Sequence, residues 1–130
     1  MVFLDSDVLI NFLRKDNKTV QRLESIRLEG KELSITSINS FELLKGIPKS
    51  SHMDSSKVIE FLNNFKIHNF DFASSKKAAE IFENLKSNGE IIELPDIMIA
   101  SIVIARNETL VTGNVNHFNR IKELKIEKLS

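Results

Sequence analysis

Leu94-Pro95-Asp96-Ile97-Met98-Ile99-Ala100-Ser101-Ile102-Val103-Ile104-Ala105 is the stretch on which the reading of this chain turns. Proline suits the first turn of a helix, and Pro95 predicts one that runs to Arg106 and closes on Asn107. From Ile97 to Ala105 the segment is apolar on nearly every side. Such a helix lies centrally within a fold, covered on several faces. It is far shorter than the ~20 residues of a membrane span, and Ser101 interrupts it. A buried helix that opens on an aspartate carries that carboxylate inside with it.

Outward from this helix, short apolar runs alternate with helical patterns. Val2-Phe3-Leu4 reads as a buried strand, followed by a helix capped at Asp5-Ser6 and running to about Lys15. A second helix spans about Lys18 to Glu29, with Gly30 as its stop. Leu33 to Thr36 is the next strand, and Ser37 to Lys45 a helix ended by Gly46 and Pro48. Pro48 to Ser56 reads as a polar loop. A helix capped by Asp54 or Ser55 then reaches about Phe65, before a strand over Ile67 to Phe70. Ala73 to Ser87 is a long helix, Thr109 to Thr112 a fourth strand, and Leu124 to Leu129 a fifth. Strands alternating with helices predict an α/β fold with a parallel sheet, whose functional groups collect at the carboxyl ends of the strands. No linker, repeat or low-complexity block divides residues 1–130, so one domain is expected.

Composition narrows the function less. A 42% hydrophobic fraction over 130 residues supports a core without staples. With no cysteine there is neither a disulfide nor a thiolate zinc site, which fits a reducing, cytoplasmic setting. Met1-Val2-Phe3-Leu4-Asp5 lacks the basic start of a signal peptide. Eighteen basic residues balance 18 acidic ones. The basic excess of a generic nucleic-acid binder is absent. A nuclease is less affected by that argument, because catalytic carboxylates cancel basic surface in the count.

Three acids stand where solubility does not explain them. Asp5 ends the first strand, where it is either the cap of the next helix or a functional group. Glu42 borders an apolar stripe of Ile38, Phe41 and Leu44, so it either snorkels from the core edge or points into a polar pocket. Asp96 opens the buried helix, where a carboxylate either complements the helix dipole or serves a site. Three carboxylates gathered at one end of a parallel sheet repel one another unless a cation neutralises them. Oxygen donors without histidine or thiolate suit Mg²⁺ or Mn²⁺. Such ions neutralise phosphate charge and activate water, which is the chemistry of phosphodiester hydrolysis or phosphoryl transfer.

Four blocks now resemble a known family. Val2 to Ile10 is similar to the opening of PIN domains, and Ser34 to Gly46 to their second block, where a glutamate precedes a Leu-rich turn. Leu94 to Ala100 resembles the third and Thr109 to Phe118 the fourth, in family order along essentially the whole chain. The length resembles the VapC branch of prokaryotic toxin–antitoxin ribonucleases. The resemblance implies a three-layer α/β/α PIN sandwich around a parallel sheet of about five strands. It further implies Mg²⁺- or Mn²⁺-dependent endoribonuclease activity on RNA, homodimerisation and a VapB-type antitoxin partner. Carried over by position, Asp5, Glu42 and Asp96 are the metal-site acids, with Thr112 and Ser6 as hydroxyl partners. Many PIN domains place an aspartate where Asn114 stands here, which weakens the case for a second ion. Asp7 is an auxiliary candidate.

The remaining candidates carry less. His117, Arg14, Lys15, Lys45, Lys49 and Arg120 fall near the proposed cleft and are RNA-contact candidates, each with a solvated side chain as the plainer alternative. His52, His68 and His117 are too scattered to suggest a metal-free ribonuclease pair. Two rivals stand beside the nuclease. Phe3-Leu4-Asp5-Ser6-Asp7 also resembles the Asp-x-Asp strand end of haloacid-dehalogenase-type phosphatases, but Thr112-Gly113-Asn114 supplies no terminal acidic pair. Asn114 is the one feature favouring a catalytically weakened PIN-like module that binds RNA or protein.

Overall fold

In the computed structural model, which describes residues 1–46 and 54–129, the pattern of Val2-Phe3-Leu4 sets the middle of the molecule. Successive side chains of a strand face opposite ways. Val2 and Leu4 enter one apolar cluster while Phe3 enters another. This strand, β1 (Val2–Leu4), pairs with β2 (Leu33–Thr36) on one side and β4 (Thr109–Thr112) on the other. With β3 (Lys66–His68) and β5 (Lys125–Lys128) at the edges, the order is β3-β2-β1-β4-β5. Every pairing is parallel. The expected five-stranded parallel sheet is present.

One face of the sheet is covered by α1 (Ser6–Leu13), α2 (Asn17–Leu28) and α4 (Ser55–Leu62), which contribute Val8, Leu9, Leu23, Ile26, Val58 and Leu62 to the first cluster. The opposite face receives α5 (Phe72–Ser87) and α6 (Leu94–Ala105). As its sequence requires, α6 buries Ile97, Ile99, Ala100, Ile102 and Val103, packing on α5, β4 and α3 (Ser37–Lys45). Its far end is tied by Arg106, which donates from Nε to His68 Nδ1 at 3.1 Å and reaches Ser74 Oγ and Asp71 Oδ2. An acceptor at Nδ1 places the histidine proton on Nε2, 3.2 Å from Ser34 Oγ.

Two boundaries and one short element depart from expectation. β3 ends at His68, not Phe70, because its one partner β2 gives way to α3 after Thr36, opposite His68. α4 stops at Leu62 rather than Phe65. Asn63 caps it, and Asn64 Nδ2 takes the carbonyls of Glu60 and Phe61. A four-residue helix α7 (Val115–Phe118) is too short to show helical periodicity. Most of the proposed loop from Pro48 lies outside the described residues, as do Lys49 and His52.

The α3 stripe needs a larger correction. Phe41 is 60% exposed and Leu44 is exposed too, whereas Asn39 and Leu43 are buried. A polar contact decides the rotation of this helix. Thr36 and Asn39 form a reciprocal capping box, and the Asn39 Oδ1 also accepts from Thr36 Oγ1 at 2.7 Å. The amide nitrogen then donates to Ser6 Oγ at 3.0 Å. A side-chain amide held by three hydrogen bonds, with the residue's own backbone N–H making a fourth, turns the Asn39–Leu43 face inward and leaves Phe41 outside.

Candidate active site

β1, β2 and β4 end side by side, so Asp5, Thr36 and Thr112 stand at one edge of the sheet. Asp5 is both readings at once. Its Oδ1 accepts from Ser6 N at 2.8 Å at the start of α1, and its Oδ2 accepts from Thr112 Oγ1 at 2.8 Å. Only 6% of the residue is exposed. Burial pushes its carboxyl up to about 7, against the opposing pull of the Thr112 hydroxyl. The nearby charges of Asp7 and Asp96 add to the rise, and the Ser6 amide opposes it.

Glu42 does not snorkel free. Its Oε1 accepts from Ser6 Oγ at 2.8 Å, and that hydroxyl accepts in turn from Asn39. Ser6, whose amide binds Asp5, therefore joins α1 to α3 and fixes the Glu42 carboxylate through its hydroxyl. Asn39 is the functional neighbour that the motif reading missed, although Thr36-x-x-Asn39 has capping-box spacing. Asp96 lies in the first turn of α6, with its side chain 19% exposed. Its pKa is raised, first by burial, while His117 opposes the shift from 3.4 Å and Glu93 adds to it.

The fourth block is held by Asp7 and Thr112. Thr112 Oγ1 donates to Asp5 and accepts from Asn114 N at 3.0 Å, placing the Asn114 backbone one hydroxyl away from the buried acid. The Asn114 side chain is exposed and makes no capping bond to α7. Asp7 Oδ2 accepts from Gly113 N at 2.9 Å, so it clamps the β4–α7 turn onto α1. Here glycine is required by close approach: a Cβ at Gly113 would lie 2.6 Å from that same oxygen. Gly113→Ala should push the Asp7 carboxylate off the Gly113 amide and cost about 0.5–1.5 kcal/mol, the net worth of one hydrogen bond whose groups water can reach. Denaturant unfolding of the two proteins measures this, and unchanged stability means the turn has another anchor.

The basic candidates separate. His117 touches Asp96, and Arg120 lies beside it. Lys45 follows Glu42 by one turn, with its ammonium 5.7 Å over the Phe41 ring. Arg14 and Lys15 sit beyond the other end of α1, about 13–15 Å from Asp5 at 1.5 Å rise per residue. His68 and His117 mark opposite ends of α6, bound to Arg106 and Asp96 respectively.

A family model for the PIN domain matches residues 2–124. This chain belongs to the PIN-domain family. Among curated relatives, ribonuclease VapC2 of Rickettsia felis is 31% identical, over 95% of this chain and 94% of its own. Ribonuclease VapC1 of Methanocaldococcus jannaschii is 32% identical, over 97% and 85%. The crystal structure of VapBC2 from Rickettsia felis bound to a DNA fragment from their promoter superposes with a TM-score of 0.90 at 29% identity, covering both chains fully.

The PIN domain's acids fit a divalent cation by chemistry. Among the described residues no three histidine, aspartate or glutamate side chains are grouped closely enough to hold a metal ion, so Asp5, Glu42 and Asp96 would have to converge on it. Yet a nearly buried carboxylate held near 7 by burial and two like charges is short of positive charge. The side chains that bear on Asp5, those of Thr112, Asp7 and Asp96, offer hard oxygens, the type that suits Mg²⁺ or Mn²⁺ rather than a softer ion.

Proposed function

We propose that this chain is a metal-dependent endoribonuclease acting as the toxin of a VapBC-type pair, with Mg²⁺ or Mn²⁺ as its ion. The observation that carries the reading is Asp5, buried at the strand ends and within the field of Asp7 and Asp96. Relatives named as VapC ribonucleases match over nearly the full chain.

Asp5, Asp96 and Glu42 would hold the cation. When bound, it neutralises charge on the scissile phosphate and lowers the pKa of water. The chain's own work is positioning. Thr112 and the Ser6 amide fix both Asp5 oxygens, and the Ser6 hydroxyl fixes Glu42. Locked acids need little reorganisation when charge develops at the phosphate. His117 would orient Asp96 from the α7 side, and Lys45, one turn after Glu42, would meet backbone phosphate. Asn114, with an uncommitted amide, supplies a neutral donor or acceptor at the rim.

No described helix is long and apolar enough to cross a membrane. A cytoplasmic homodimer bound by a VapB-type antitoxin is the assembly this reading expects. The test is cleavage of single-stranded RNA by the purified protein. Activity should appear with Mn²⁺, vanish in excess EDTA and return on adding the ion. Mn²⁺ binding without any cleavage points instead to the RNA- or protein-binding module, and cleavage in EDTA removes the metal from the chemistry.

A further inference from the structure

Beside Asp96 lies a cleft of about 240 Å³. It is smaller than the ~300–1,000 Å³ of sites for drug-sized ligands, so it suits a single ring system. Ile91 and Ile92 form one wall, and Asn116 with His117 the other. Arg120 closes the floor and is already committed: its NH1 donates to Ile91 O at 3.0 Å, and its Nε faces Glu90 at 3.9 Å. These contacts fix the 90–92 segment against the end of α7. Ile91 is nonetheless 86% exposed, an unusual position for a large aliphatic side chain.

The charge in the cleft argues against phosphate. Glu93 and Asp96 both line it, and the one guanidinium there has a carboxylate partner. An unstacked base suits it better, because bases of single-stranded RNA are bound by apolar or aromatic faces and read along their edges. Asn116 offers both a donor and an acceptor, and the Glu93 carboxylate only accepts. An amino-bearing edge gives Glu93 an N–H donor and leaves Asn116 the neighbouring ring position, whereas uracil's single N3–H sits between two carbonyls, one of which must face the carboxylate.

We infer that the cleft of Ile91, Ile92, Glu93 and Asn116 holds the nucleobase next to the cleaved phosphodiester and prefers an amino-bearing base over uracil. This rests on the ribonuclease reading of the Asp5–Asp96 site. Asn116 is thus a specificity residue that no motif singled out.

The experiment uses short RNAs that differ only in the base flanking the cleaved bond, incubated with Mn²⁺ and the parent, Asn116→Ala or Ile91→Ala. Both altered residues are exposed, so the variants should fold. The parent should favour one amino-bearing base over uracil by about tenfold or more in kcat/KM, the scale of one good edge contact. Asn116→Ala should collapse that ratio, and Ile91→Ala should raise KM for every base. Mn²⁺ affinity, measured by calorimetry, should stay unchanged in both. A ratio unmoved by Asn116→Ala overturns the inference, as does a parent that prefers uracil. Separately, isoleucine-methyl NMR in EDTA tracks titration with the four nucleoside monophosphates. Shifts at Ile91 and Ile92 that are weakest for uridine monophosphate support the pocket even if the parent cuts no RNA, an outcome that would fail only the ribonuclease reading. No shift with any base overturns the pocket whatever the activity.

Discussion

Asp96→Asn should lower the rate of metal-dependent RNA cleavage by at least ~10²-fold, since one preorganised electrostatic group in such a site is typically worth ~2.7–4 kcal/mol. The fold should survive. Asp96 is half-buried at the start of α6, its neighbour His117 is exposed, and an amide keeps a polar partner for the imidazole. Removing a carboxylate also relieves charge near Asp5, so melting in EDTA should not fall. Calorimetric Mn²⁺ titration separates the two effects: affinity should drop along with the rate. A variant that retains full activity would mean that Asp96 only complements the helix dipole, an effect of ~0.3–1 kcal/mol at an exposed terminus.

The largest effect on stability should come from Asp5. Its carboxyl ordinarily titrates at 3.8 and is pushed up to about 7 in the folded chain, chiefly by burial. Between those values the folded protein holds a proton that the unfolded chain has released. The Asp5 contribution to the stability of the metal-free protein should therefore be fullest below about pH 4 and be lost as pH rises through 7. The loss is on the order of 4 kcal/mol as an upper figure. Asp5→Asn should flatten this slope. The asparagine carbonyl can accept from Ser6 N, and its amide can donate to the rotated Thr112 hydroxyl, so both local bonds have a replacement. Mn²⁺ should restore the parent at neutral pH through binding linkage and do little for the variant. Urea unfolding in EDTA at pH 4.5 and 8, with and without Asp5→Asn, reads the effect directly. Equal pH slopes in the two proteins would show that Asp5 is ionised and satisfied without a cation.

Much of this was legible along the chain because the signals are local. Val2-Phe3-Leu4 must alternate between two faces, Asp5 and Asp54 cap the helices that begin one residue later, and a helix as apolar as Ile97 to Ala105 has nowhere to go but inside. From those constraints come the parallel sheet and the positions of Asp5 and Asp96 near its carboxyl edge. The order of the four blocks added the family, which periodicity alone does not contain.

Tertiary structure decided what depends on pairs distant in sequence. Phe41 and Leu44 look like core on helical spacing, yet Asn39 reaching Ser6 rotates α3 and buries an amide in their place. Asp7 looked like a spare site acid, and its bond to Gly113, 106 residues away, makes it a clamp. Arg120 looked like a phosphate contact until its bonds to the 90–92 segment made it the floor of a cleft. Residue type and spacing state what a side chain is able to do. Which of several available partners it takes is fixed only when packing brings one of them within hydrogen-bond reach and removes water as the alternative.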